Sequence, residues 1–72
     1  MEHINDDRLE LLSIAHGANS AEATALTLLR QQRARDRQVF AFRIGDHYMV
    51  GPMPDAQTNL MALMAHEFVR RM

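Results

Sequence analysis

The stretch Gln38–Pro52, QVFAFRIGDHYMVGP, decides how this chain folds. Val39 to Ile44 and Tyr48 to Val50 are rich in aromatic and β-branched residues, which fit a pleated, half-buried surface. Between them Gly45-Asp46 supplies the glycine-first, two-residue turn that hairpins favour. A hairpin over about 38–52 follows. Its register has two solutions. With a two-residue turn, Phe40, Phe42, Ile44, His47 and Met49 share a face; with a three-residue loop over Gly45-Asp46-His47, the face becomes Phe40, Phe42, Ile44, Tyr48 and Val50. Either way Val39 and Ala41 leave the opposite face apolar. A lone ribbon of this kind is marginal in water and exposes its edges. Edge pairing with a second protomer, giving a four-stranded sheet with helices on one side, is the expected remedy.

Helical patterns flank the hairpin. Upstream, Asn5 reads as an N-cap, Asp6 and Asp7 place negative charge at the positive end of the helix dipole, and Ile4 can staple onto Leu9. Leu9, Leu12 and Ala15, extended by Leu11, form the apolar side, and Gly17 is the stop. A second helix begins at Asn19 or Ser20, where Asn19 with Glu22 resembles a capping box, and gathers Ala21, Ala25, Leu28, Leu29 and Gln32 on its inner face. Downstream, Pro52 and Pro54 end the strand. Asp55 then caps a third helix whose arc carries Leu60, Met61, Met64, Ala65, Phe68 and Met72. Leu63 falls on the polar side of that helix and, with Met53, reads as interface. The expected fold is therefore a small single α+β domain over 1–72, order α-α-β-β-α, with helices over about 5–16, 20–37 and 55–71 and the hairpin completing a four-stranded sheet across a homodimer.

A chain of 72 residues buries only about 60% of the surface that its unfolded form exposes, so its core leaves little margin. There is no cysteine to supply a disulfide or a thiolate metal site. Self-association is the remaining way to add buried surface. No basic, apolar leader opens the sequence and no apolar run approaches a membrane span, so the reading is a cytoplasmic protein with no membrane partner.

The net charge of −1 conceals a dipole. Residues 1–29 carry Glu2, Asp6, Asp7, Glu10 and Glu22 against Arg8, a net of −4; residues 30–37 carry Arg30, Arg33, Arg35 and Arg37 against Asp36, a net of +3. All eight basic side chains are arginine, whose planar fork suits interfaces better than lysine's point charge. On a continuous helix Arg30, Arg33 and Arg37 lie within about 60° of one another, forming a stripe that can serve either the helix dipole or a partner.

Known chemistries are excluded one by one. His66-Glu67 opens like a zinc-hydrolase helix, yet the position of the second histidine holds Arg70. His3, His16, His47 and His66 stand at unrelated spacings, and Gly17, Gly45 and Gly51 are turn and stop residues rather than a phosphate loop. Ser13 and Ser20 have no base at a recognisable spacing. The expectation is no catalytic residue, no metal and no cofactor. What remains is a non-enzymatic protein-interaction module acting as a regulator, inhibitor or accessory subunit of a larger macromolecule, with Arg30, Arg33, Arg37, Arg43, Tyr48 and Leu63 as the partner-binding residues. The runner-up is nucleic-acid binding, with Arg30, Arg33 and Arg37 tracking phosphates. A sequence pI of about 6.4 weighs against it.

Overall fold

The register of the hairpin is settled at its turn. In the computed structural model of the protein, which describes residues 2–52 and 67–70, Ile44 pairs with His47 directly across Gly45-Asp46. Gly45 has φ +57°, and Asp46 stays on the negative side. Only the first central residue needs the left-handed region, the requirement of a type II′ turn. The strands β2 (Phe40–Ile44) and β3 (His47–Gly51) follow with the two-residue register. Phe40, Phe42, Ile44, His47 and Met49 thus share one face, while Ala41, Arg43, Tyr48 and Val50 share the other.

Both edges of this ribbon are paired by the same chain. The strand β1 (Glu2–Ile4) runs antiparallel to β2, and β4 (Glu67–Arg70) antiparallel to β3, giving a four-stranded sheet in the order β1-β2-β3-β4. Within the single chain the four strands are already present, and one expectation is corrected: residues 67–70, expected as the last turn of a helix, are extended. Phe68 and Val69 are good strand formers, and pairing with β3 covers an edge that would otherwise be bare. In a strand the two point to opposite faces, so Val69 packs on the core while Phe68 projects from the reverse face. The expected helix over 55–66, with Leu60, Met61, Leu63 and Met64, lies outside the described residues.

The two helices form where the sequence places them. In α1 (Asp6–His16) the Asn5 side chain accepts a hydrogen bond from the backbone N–H of Arg8 at 2.8 Å, and Gly17, φ +92°, ends the helix with its N–H donated to the Ser13 carbonyl. Ile4 and Leu9 are both buried in the core cluster, as a hydrophobic staple requires. In α2 (Ala21–Arg33) the cap is Ser20, whose hydroxyl accepts from the N–H of Ala23 at 3.1 Å. This helix stops one turn earlier than expected. Its last turn tightens as Arg35 and Asp36 both donate to the Gln32 carbonyl, and the Asp36 carboxylate then accepts from the N–H of Gln38 at 2.9 Å. That aspartate offers the backbone an alternative to helix. The chain turns there toward the sheet.

The core lies between α2 and the sheet face of Ala41, Tyr48 and Val50, joined by Ile4, Leu9, Ala21, Ala25, Leu26, Leu29 and Val39. Leu28, expected in the core, is only partly buried against its edge. The helix α2 crosses β2, β3 and β4, while α1 packs chiefly on α2. On the reverse face Phe42 and Met49 are also buried, and the His3 ring of β1 stands 5.6 Å from that of Phe42.

Candidate functional site

The first turn of α2 carries the most unusual side chain in the core. Glu22 is 1% exposed, the one charged residue buried among the described residues. It shares a helical face with Ala25, Leu26 and Leu29, at spacings of three, four and seven. That face turns Glu22 toward β3, where the Tyr48 hydroxyl donates to its Oε2 at 2.9 Å. The same oxygen lies 3.8 Å from Nε2 of His16, the last residue of α1. A buried carboxylate is costly unless it is hydrogen-bonded, and its place at a helix N-terminus gives it a favourable dipole as well. The group therefore ties three elements together: the end of α1, the start of α2 and the middle of β3.

This arrangement reassigns two residues. Tyr48, expected on the partner surface, is 1% exposed and belongs to the core. Glu22, expected to close a capping box with Asn19, points inward instead, because Ser20 takes the cap. The signal for Glu22 was present in its spacing to Ala25, Leu26 and Leu29. No pattern in the sequence pairs it with Tyr48, 26 residues away.

The arginine stripe is dispersed. Arg33, at the C-terminus of α2, forms an ion pair with Asp6 in the first turn of α1, and its other terminal nitrogen donates to the Val39 carbonyl. It fastens the two helices to the chain entering β2. Arg30 lies 4.0 Å from Glu10 with both side chains well exposed, an interaction worth little in water. Arg37 is exposed but sits beyond the helix, in the connection to β2. Arg43 is half-buried on β2, and its Nε donates to the Gly45 carbonyl at 3.4 Å. Of the six residues named from the sequence, Arg30 and Arg37 are exposed, Arg33 and Arg43 bond within the fold, Tyr48 is internal, and Leu63 lies outside the described residues.

Leu11 and Ala15, expected to continue the buried side of α1, are exposed instead, and Leu11 forms an outward apolar surface with Ile14. Leu11 is 66% and Ile14 is 73% exposed. They lie one turn apart, on the side of the helix opposite Leu9 and Leu12. Asp7 and Glu10 flank them, both exposed, whereas Arg8 is engaged by Glu2 at 2.8 Å. The result is an outward face of two large aliphatic side chains between carboxylates.

Among the described residues no group of three histidine, aspartate or glutamate side chains is placed to hold a metal ion. Among them, too, no helix is long and apolar enough to cross a membrane. In comparisons with protein families, curated proteins and solved structures, the chain matches none.

Proposed function

We propose that the protein is a non-enzymatic interaction module, a regulator, inhibitor or accessory subunit of a larger macromolecule, and that it binds through α1. The observation that carries this reading is the outward pair Leu11 and Ile14. Large aliphatic groups one turn apart on a helix are the anchors of a helix-in-groove contact. Asp7 and Glu10 beside them call for a groove with a basic rim. The partner is thus a protein with an apolar cleft bordered by arginine or lysine.

The arginines support the alternative less well. Nucleic-acid binding relied on a continuous stripe, yet Arg33 is held by Asp6 and Val39, and Arg30 stands beside Glu10 on the acidic helix. A phosphate backbone approaching Arg30 would meet those carboxylates as well.

The test is comparative capture. Wild-type protein, Leu11→Ser/Ile14→Ser and Arg30→Gln/Arg37→Gln, all shown folded by circular dichroism, are used as baits after nuclease treatment. Proteins retained by wild type and by the arginine variant, but lost from the α1 variant, support the reading. An unchanged set on the α1 variant refutes it, and salt-sensitive binding of the wild type to a random duplex, lost with the arginines, would put nucleic acid in its place.

A further inference from the structure

Among the described residues no strand pairs with the outer side of β4. In an antiparallel ladder residues alternate between those whose main-chain groups face one neighbour and those that face the other. The two-residue turn makes Ile44 and His47 a hydrogen-bonded pair. Counting along β3, Tyr48 and Val50 therefore face β4, where they meet Val69 and Glu67. The main-chain groups of Phe68 and Arg70 then point away from the sheet. At the opposite edge only His3 of β1 is turned outward, since Glu2 and Ile4 pair with Arg43 and Ala41.

We propose that β4 is a self-association edge, at which a second copy of the chain pairs antiparallel about a two-fold axis through Val69. The main-chain groups of Phe68 and Arg70, unpaired among the described residues, fit a second copy of the same strand in this register. With the axis at Val69, the N–H and C=O of Phe68 meet those of Arg70 in the partner, and the symmetric pair repeats the match, so every outward group of β4 is used. The same register sets the Phe68 ring, 45% exposed, opposite the partner's arginine on one face of the sheet. A guanidinium over an aromatic face is attractive, and it occurs twice. The axis is perpendicular to the sheet, so the helices of both copies remain on one side. Two four-stranded sheets become one continuous sheet. No proline or lysine blunts the strand Glu67–Arg70.

Sedimentation equilibrium over a wide concentration range tests this, with wild type, Arg70→Glu and the α1 variant Leu11→Ser/Ile14→Ser. The wild type should approach twice the 8.3 kDa chain mass. Arg70→Glu should weaken the dimer at least about tenfold while keeping the wild-type far-UV spectrum, and the α1 variant should dimerise like wild type. Because the chain has no cysteine, Val69→Cys gives a second reading of the register: on mild oxidation it should form a disulfide-linked dimer, as residues facing each other across the axis lie within disulfide reach. A wild type that stays monomeric throughout, or a dimer that Arg70→Glu leaves unchanged, overturns the proposal; loss of the dimer in the α1 variant alone would move the contact to Leu11 and Ile14.

Discussion

Replacing Tyr48 with phenylalanine removes one oxygen and nothing else from a site that is 1% exposed. The ring still fills its place, so no cavity term enters. What is lost is the 2.9 Å hydrogen bond from the hydroxyl to Oε2 of Glu22. Such a bond contributes about 1–3 kcal/mol, the span from a neutral pair to one with a charged acceptor. A domain of this size carries an m-value near 1 kcal/mol/M in urea, so the midpoint should fall by about 1–3 M. The melting temperature should drop by about 4–8 °C for each kcal/mol. Urea titrations followed by far-UV circular dichroism measure the difference directly. Tyr48 is the chain's single tyrosine and there is no tryptophan, so wild-type tyrosine fluorescence is a one-site report on the same contact. Glu22→Gln should change that fluorescence while the far-UV spectrum stays native. Partner capture by Tyr48→Phe should match wild type, because the hydroxyl never reaches the surface. A midpoint within about 0.5 M of wild type, which is about 0.5 kcal/mol at that slope, would refute the role given to the Tyr48–Glu22 bond.

Two further substitutions probe how the elements are joined. Arg33→Ala should cost about 2 kcal/mol, since it removes both the Asp6 ion pair and the hydrogen bond to the Val39 carbonyl, whereas Arg30→Ala should cost less than about 0.5 kcal/mol, its contact with Glu10 being exposed and long; chemical denaturation of the two variants side by side gives the comparison, and equal losses would contradict it. At Gly45 a methyl group would meet nothing within 4 Å, so Gly45→Ala should lose only the backbone term for φ +57°, about 1–3 kcal/mol; a calorimetric scan showing no difference between alanine and glycine would mean that the turn is not of this type.

Local chemistry was legible where the determinants are close in sequence. Asn5, Gly17 and Gly45 each act on backbone within four residues of themselves, and each does what its residue type implies. The turn's two-residue form could not be chosen from sequence because both registers keep Phe40, Phe42 and Ile44 together and differ only in β3. There Tyr48, Met49 and Val50 are all apolar or aromatic, so period-two contrast is lost. The structure shows why: Tyr48 and Val50 are buried toward the helices, and Met49 is buried on the reverse. A strand covered on both faces has no alternation to read. Residues 67–70 mislead for a related reason. Phe68 fits a helical arc with Met64 and Met61, and nothing local reveals that β3 lacks a neighbour there. Pairing partners some 20 residues apart, such as Tyr48 and Val69, decide the outcome.

The same distinction between local and distant causes explains why the sequence pointed to the arginines and overlooked α1. A cluster of four arginines is conspicuous, but whether any of them is free depends on Asp6, Glu10 and Val39, which the fold delivers from other elements. The surface on α1 follows from a simpler count. At 100° per residue Leu9 and Leu12 lie on one side of the helix, and Leu11 and Ile14 on the other. One helix packed against one neighbour can bury only one of these sides. Leu9, stapled to Ile4 and fixed by the Asn5 cap, determines which side that is. Leu11 and Ile14 are consequently left outward by the same contacts that hold α1 in place, so an interface there can be gained or lost without altering the core.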